Sequence, residues 1–297
     1  MDQGSQESRP LPDSGIISPS TIISSILDRQ RSAKLAMRTR GVTTPRDLEA
    51  DVVTRFSTQL DRRFTALYSK QPQNQDALAA TALGNQDNVL SDYIVARNGR
   101  YCLVEFKANE AALQSEARKE LRIALCKIIS EQKNPLRWAR SAHFVGWGTM
   151  TARRLPGIGT VDEELIALAS YPGTICPLLG FPVQAPENRV NAEKFIEMFL
   201  ESKLVGSTAE RFEKYLALLF KLAGSCSTEA LKSIEGSVYV YIPGDDLHAP
   251  DLHSVRFHGL EHLFQLTYDR EMLPSHRQKQ DPEIELDRGI RFHGPSL

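Results

Sequence analysis

Apolar and polar positions along the chain recur with two periods, and each period predicts a different kind of element. Over Pro45–Tyr68 apolar residues return every three or four positions, which predicts an amphipathic helix. Within residues 91–107, two runs rich in β-forming residues flank the dipeptide Asn98-Gly99. That dipeptide is the strongest short signal for a two-residue type I′ hairpin, because both turn positions need a positive φ. A helix followed by a tight hairpin is therefore predicted.

The hairpin determines which side chains share a face of the sheet. If Arg97 faces Arg100 across the turn, Asp92 faces Glu105, and opposed residues of an antiparallel pair lie on the same side. Lys107, two residues after Glu105, points to that side as well. Two opposed carboxylates repel each other, and a divalent cation with oxygen ligands would remove the conflict. The register predicts a cation site beside an amine; the alternative is a structural ion pair at a sheet edge.

The remaining pattern predicts the rest of the secondary structure. The pattern over 77–83 predicts a weak helix or an edge strand, 111–131 one long helix, 142–148 a strand parallel to a core strand, and 151–159 a loop. It then predicts a short helix over 161–169, a linker over 171–186, and two helices over 191–204 and 208–223. The last two predicted elements are strands over 237–242 and 263–268. The α-β-β-α-β order fits an α/β sandwich with a mixed sheet, followed by a mostly helical C-terminal region. We divide the chain into residues 1–43, 44–170 and 171–297.

Composition narrows the class of protein. The 297 residues are 41% hydrophobic and 25% charged, which is ordinary for a soluble globular chain. The net charge of −1 argues against strong, non-specific DNA binding by overall charge. No apolar run approaches the roughly 20 residues needed to cross a bilayer. The four cysteines lie far apart without a C-x-x-C pair, so neither a zinc ribbon nor a disulfide framework is predicted, and a cytoplasmic location is expected.

Local basic segments are candidates for contact with nucleic acid. Between residues 29 and 46 there are six basic residues and no acidic one. This basic segment follows a polar N-terminal stretch that we expect to be mobile. It predicts an arm that contacts phosphate groups and includes Arg38 and Arg40. Arg118 and Arg122, on the helix predicted after the hairpin, are further candidates. The alternative for each is a solvated helix face.

The spacing Asp-(x12)-Glu-x-Lys on a hairpin resembles the catalytic signature of the PD-(D/E)xK nuclease superfamily, with the restriction-endonuclease-like fold. The resemblance covers a short core, and Ser91 stands where the family motif has proline. It implies Mg²⁺ or Mn²⁺ held by Asp92 and Glu105, with Lys107 assisting the attacking water. It also implies that Glu49, on the first helix, joins the metal-binding acids; otherwise Glu49 is a surface acid favoured by the helix N-terminus.

The same resemblance implies a polar catalytic residue early in the next helix, for which Gln114 is the candidate; its alternative role is a solvated polar face. The expected activity is metal-dependent phosphodiester hydrolysis, with DNA favoured over RNA, in restriction, phage defence or repair. The alternative is a catalytically silent nuclease-fold subunit that binds a protein partner or a second copy through residues 191–223. No membrane partner is expected. We interpret the histidines and aspartates of residues 243–262 as a surface loop rather than a metal site.

Overall fold

The computed structural model of the chain describes residues 45–68, 76–82, 89–183, 189–202, 204–242 and 251–267. The predicted basic arm with Arg38 and Arg40 lies outside the described residues. The strands are β1 (Asp76–Ala82), β2 (Tyr93–Arg97), β3 (Arg100–Lys107), β4 (His143–Leu155), β5 (Gly159–Ser170), β6 (Val190–Asn191), β7 (Glu235–Ile242) and β8 (Asp251–His258). The α-helices are α1 (Pro45–Tyr68), α2 (Leu113–Glu116), α3 (Glu120–Glu131), α4 (Lys133–Ala142), α5 (Tyr171–Leu178), α6 (Ala192–Leu200), α7 (Ala209–Leu222), α8 (Ser227–Lys232) and α9 (Leu260–Thr267).

The eight described strands form one mixed sheet in the order β6-β5-β4-β3-β2-β1-β7-β8. Strands β3 and β4 pair in parallel, and the other described neighbours pair antiparallel. Helices α2, α3 and α4 form the crossover between β3 and β4, as a parallel connection requires. The predicted α/β class with a mixed sheet is confirmed. None of the described helices has the length and apolar character that crossing a membrane requires.

Helices cover both faces of the sheet. On one face, α1 and α6 bury an apolar cluster that includes Phe56 and Phe195 against Val104 and Phe106 of β3. On the other face, α3, α4, α5, α7 and α9 pack over Leu103 and its neighbours. Strand β3 is therefore buried on both sides, which explains its nearly continuous apolar sequence.

The hairpin has the predicted register. Arg97 pairs with Arg100, and Tyr93 pairs with Val104. Asn98 has φ 48° and Gly99 has φ 67°, so both turn residues occupy the left-handed region that a type I′ turn demands. Glu105 and Lys107 consequently point to the same side of β3, as predicted.

Residues 151–169 contradict the sequence prediction. The predicted loop and short helix are the two arms of a long hairpin, in which β4 runs to Leu155 and β5 begins at Gly159. The segment from Glu163 to Ala169 contains good helix formers, which favoured the helix. Pairing with β4 along the whole of β5 overrides this local preference, because tertiary context outweighs propensity in strands.

The long helix predicted over residues 111–131 is also wrong. A 3₁₀ turn (Glu110–Ala112) leads into α2, and the chain is extended at Lys119 before α3 begins. The buried residues of α3 are Arg122, Leu125, Cys126 and Ile129. A buried guanidinium needs an acidic partner, and the break brings one within reach.

Three smaller predictions are corrected as well. The start of the predicted linker forms α5, and the strand predicted at 263–268 is instead the helix α9. Cys126 of α3 and Cys176 of α5 form a disulfide across a separation of 50 residues, although their distance in sequence had suggested none. The cysteines lie far apart along the chain but are brought together by the packing of two helices on one face.

The C-terminal part of the chain contributes to the same sheet. Among its described residues, α6 and α7 lie within the two predicted helical segments. The predicted strand at 237–242 is β7, which pairs with β1. For 77–83 the sequence left a helix or an edge strand open; the described residues, up to Ala82, belong to β1, which lies in the interior of the sheet between β2 and β7.

Candidate functional site

The candidate site lies at the C-terminal end of β3. Glu105 is 0% exposed and Lys107 is 6% exposed, and both are on the face covered by α3. Burying one carboxylate and one ammonium is costly unless each finds an opposite charge, so the partners of these two groups define the site.

The Lys107 ammonium is surrounded by three oxygens. Lys107 Nζ donates to Glu105 Oε1 at 2.6 Å, to the Phe106 carbonyl at 2.8 Å and to Glu49 Oε1 at 2.9 Å. Burial alone would lower the pKa of Lys107, but the carboxylates of Glu105, Asp92 and Glu116 outweigh it and raise that pKa above its usual value. Lys107 therefore keeps its positive charge. Helix α1 reaches the site through Glu49.

Asp92 lies just before β2 and is anchored to β3. Its Oδ2 accepts a hydrogen bond from the Phe106 backbone N–H at 2.6 Å. Burial raises the pKa of Asp92, while the charge of Lys107 and the Phe106 N–H act in the opposite direction. The carboxylate also acts on Glu105, whose pKa it helps to raise. Asp92, Glu105 and Lys107 are thus brought together, as the register predicted, and Glu49 joins them, as the resemblance implied. Their catalytic roles stay predictions.

Glu105 has one oxygen that no donor satisfies. Its Oε1 accepts from Lys107 and, at 3.2 Å, from Lys119 Nζ. Its Oε2 is buried without a hydrogen-bond partner and lies 3.7 Å from the Arg122 guanidinium. Burial, and then the charges of Asp92 and Glu116, raise the pKa of Glu105 to about 7. This oxygen is available to a proton or to a metal ion.

Glu116 is a member of the cluster that the sequence reasoning missed. It is 0% exposed on α2, and its Oε1 accepts from Arg122 Nε at 2.7 Å and from the Tyr171 hydroxyl at 3.1 Å. Its Oε2 lies 2.6 Å from Lys119 Nζ. Burial would raise the pKa of Glu116, but the charges of Arg122 and Lys119 lower it well below its usual range. Reading 111–131 as one helix hid this contact.

Arg122 is placed differently from the prediction. It was a candidate for nucleic-acid contact, but its side chain is fully buried and its guanidinium donates to Glu116 and to the carbonyls of Val89 and Leu90. A side chain with no exposed surface cannot meet a phosphate from solvent, so we remove Arg122 from the candidate contacts. A signal was present in the sequence, since Arg122 is four residues before Cys126 on the stripe that turned out to be buried.

Two further candidates lie on the surface near the cluster. Gln114 is exposed on α2, and Arg118 is exposed in the break between α2 and α3. Within the described residues, no hydrogen bond connects Gln114 to the acidic cluster. Both side chains remain accessible to a ligand, and both roles stay predictions.

A second buried network adjoins the cluster. The Ser91 hydroxyl is 2.9 Å from His143 Nε2, and His143 Nδ1 is 2.6 Å from the Tyr215 hydroxyl. The His143 ring stacks on Tyr171 at 3.9 Å, and Tyr171 in turn contacts Glu116. Burial, and then the charge of Arg122, lower the pKa of His143 well below its usual value. The network supports Ser91, the residue directly before Asp92.

The donor atoms suit a hard divalent cation. Oxygens of Glu49, Glu105 and the Phe106 carbonyl already surround the position of one ammonium, and Asp92 is adjacent. Carboxylate and carbonyl oxygens are the ligands that Mg²⁺ and Mn²⁺ take. Among the described residues no three His, Cys, Asp or Glu side chains are arranged as a ready-made metal site. That holds also for the His-containing segment after residue 251, where His258 instead faces Glu235 at 3.2 Å.

No protein-family model, curated protein or solved structure gives a significant match to this chain. We therefore infer a function from the residues and geometry of the cluster.

Proposed function

We propose that this protein is a metal-dependent nuclease whose catalytic site is the cluster at the end of β3. The observation that carries the proposal is the convergence of Glu49, Glu105 and the Phe106 carbonyl on the Lys107 ammonium, with Asp92 hydrogen-bonded alongside. The order and spacing of the acids and the lysine along the chain resemble the PD-(D/E)xK signature, which supports the proposal. A restriction-endonuclease-like core is part of the proposal.

The arrangement of strands supports that core. A helix, a hairpin and a helical crossover to a parallel strand follow each other in α1, β2, β3, α2 to α4 and β4. In such a crossover the catalytic strand β3 lies in the middle of the sheet and is covered on both faces. The cluster is then held by rigid elements, which a site that must fix a phosphate within a fraction of an ångström needs.

Each residue has a distinct proposed task. Asp92 and Glu105 would hold Mg²⁺ or Mn²⁺, with Glu49 contributing from α1. The bound ion would polarise the scissile phosphate and lower the pKa of a water molecule. Lys107, which keeps its positive charge, would donate to a phosphate oxygen or orient the attacking water. The unpartnered Glu105 Oε2 is the oxygen best placed to gain a ligand, because an unsatisfied buried carboxylate oxygen is costly.

The substrate in this proposal is a phosphodiester of nucleic acid, with DNA favoured over RNA by the resemblance. The test is incubation of the protein with plasmid DNA, single-stranded DNA and RNA in Mg²⁺, in Mn²⁺ and in EDTA, beside Asp92→Ala and Lys107→Ala. We expect cleavage in Mg²⁺ or Mn²⁺, none in EDTA, and loss in both variants. Binding of a substrate without cleavage in any metal would instead support the silent binding subunit.

A matched control sharpens this assay. Lys127 of α3 is an exposed lysine on a described helix, and no role at the cluster is assigned to it. Lys127→Ala is expected to cleave like the wild-type protein. Loss of activity in this control as strongly as in Lys107→Ala would attribute the effect to general loss of positive charge.

A further inference from the structure

Arg122 connects the two halves of the candidate site. Its Nη1 donates to the Val89 carbonyl and its Nη2 donates to the Leu90 carbonyl, each at 3.2 Å. Its Nε donates to Glu116 Oε1 at 2.7 Å. Val89 and Leu90 lie just before Asp92. The Arg122 side chain therefore links the backbone that precedes Asp92 to the cluster around Glu105.

The guanidinium is suited to this position and an ammonium is not. Arg122 is fully buried and directs three separate donors at a carboxylate and two carbonyls. A lysine carries a compact point charge on a flexible stem and cannot reproduce a planar fork of donors. Burial alone would lower the pKa of the Arg122 guanidinium, but Tyr171, Glu105 and Glu116 outweigh it and raise that pKa further above its usual value, so Arg122 stays charged.

Glu116 connects Arg122 to both lysines. Its Oε1 is occupied by Arg122 and Tyr171, which leaves Oε2 facing Lys119 Nζ at 2.6 Å and Lys107 Nζ at 3.6 Å. Lys119 also lies 3.2 Å from Glu105 Oε1, so it spans Glu105 and Glu116. The orientation of Glu116 therefore determines where the ammonium groups lie relative to Glu105.

We propose that Arg122 and Glu116 are positioning residues of the candidate site: Arg122 fixes the main chain that presents Asp92, and Glu116 fixes the two lysines around Glu105. The inference rests on the proposed function and extends it to residues that neither touch the metal ion nor touch the substrate. Partners of this outer kind typically change metal affinity by about 10- to 100-fold when they are altered.

Two isosteric or near-isosteric variants test the inference. Arg122→Lys keeps the charge but loses the fork; Glu116→Gln keeps an oxygen for Arg122 and loses the charge facing the lysines. The matched control is Arg137→Lys, at an exposed position of α4 to which no role at the site is assigned. Each protein is assayed for Mn²⁺ affinity by calorimetry, for the metal concentration that gives half-maximal cleavage, and for thermal unfolding, which identifies the folded variants.

We expect Arg122→Lys and Glu116→Gln to weaken Mn²⁺ affinity and to raise the half-saturating metal concentration by about 10-fold or more, with most of the cleavage rate recovered at saturating metal. Arg137→Lys should match the wild type. Folded variants with wild-type Mn²⁺ affinity and half-saturation would overturn the inference, and if Arg122→Lys does not fold, Glu116→Gln decides.

The Mn²⁺ affinities separate the two proposals. A wild-type protein that binds Mn²⁺ but cleaves no substrate overturns the proposed function, and the affinity ratio of the variants still decides the positioning role. A wild-type protein that binds no Mn²⁺ overturns both.

Discussion

Lys107 Nζ lies 2.6 Å from Glu105 Oε1, two residues earlier on the same strand. The contact follows from strand geometry, because residues two apart point to the same face. The ammonium occupies the position among Glu49, Glu105 and the Phe106 carbonyl that a divalent cation would take. If the proposed function holds, a bound metal ion would therefore compete with the lysine for the same oxygens.

This competition predicts that Lys107→Met separates metal binding from catalysis. Removing the ammonium frees Glu105 and Glu49 for a cation, so Mn²⁺ affinity should stay equal to the wild type or increase, while cleavage falls by about 10²- to 10³-fold. Calorimetric titration with Mn²⁺ and a cleavage assay on the same preparation measure the two effects. A variant that loses both together would show that the lysine supports the site structurally rather than competing with the ion.

In EDTA the same variant should be destabilised. Glu105 is 0% exposed and loses its nearest cation, and breaking a buried ion pair by removing one partner costs about 3–5 kcal/mol. Urea unfolding in EDTA and in Mn²⁺ checks this expectation. The metal should restore part of the lost free energy of unfolding, and equal stability of wild type and variant in EDTA would contradict the buried pair.

The Cys126–Cys176 disulfide joins α3, which carries Arg122, to α5, which carries Tyr171. It closes a loop with a sequence separation of 50 residues, for which the chain-entropy relation gives about 4 kcal/mol of stabilisation. The double variant Cys126→Ala/Cys176→Ala should lower the midpoint of thermal unfolding, and a reductant should lower it in the wild type but not further in the variant. Cys226→Ser, at an exposed free cysteine, should leave the midpoint unchanged.

His143 should make stability depend on pH. Burial, and then Arg122, lower the pKa of His143 below the unfolded value of 6.5, so the folded state holds the ring neutral. Below pH 6.5 His143 binds a proton in the unfolded chain but not in the folded chain. The contribution of His143 to the free energy of unfolding therefore falls by about 1.4 kcal/mol for each pH unit below 6.5. Above pH 6.5 the contribution is fully present.

The matched variant is His143→Gln, which keeps hydrogen-bonding groups but does not titrate. Urea unfolding of both proteins between about pH 5 and pH 8 isolates the contribution of the imidazole. The wild-type advantage should shrink as the pH falls below 6.5. Parallel pH profiles for the two proteins would show that His143 does not carry the dependence.

Gly148→Ala should disturb the end of β3. A Cβ atom there would lie 2.5 Å from the Ala108 carbonyl oxygen, directly after Lys107, and backbone cannot move aside cheaply. We expect a loss of about 1–3 kcal/mol and reduced cleavage. The matched control is Gly146→Ala, where the closest atom belongs to the buried Phe106 ring at 2.9 Å. A side chain can shift more than backbone, so its loss should be smaller. An equal or smaller effect at Gly148 would contradict the tight approach.

The hairpin and its face were predictable because they depend on local rules. Asn98-Gly99 determines the turn, the turn determines the register, and a period of two then places Glu105 and Lys107 on one side. Helix α1 was predictable for a similar reason, since its apolar stripe extends over six turns and begins at a proline.

The parts that could not be predicted depend on contacts between distant residues. Glu116 and Arg122 were read as exposed positions of one long helix, whereas their mutual pairing accompanies a break in it. The strand β5 was read as a helix, because nothing in its own sequence shows that β4 lies beside it. The disulfide likewise follows from the packing of α3 against α5 and not from cysteine spacing.

The central claim is that the cluster at the end of β3 holds a divalent cation. Its most direct test is an anomalous difference map from a crystal of the wild-type protein soaked with Mn²⁺. We predict one strong peak coordinated by the carboxylates of Asp92 and Glu105, with the Lys107 ammonium moved away from Glu105. A map at saturating Mn²⁺ with no peak at these carboxylates, and with Lys107 still bonded to Glu105, would contradict the account.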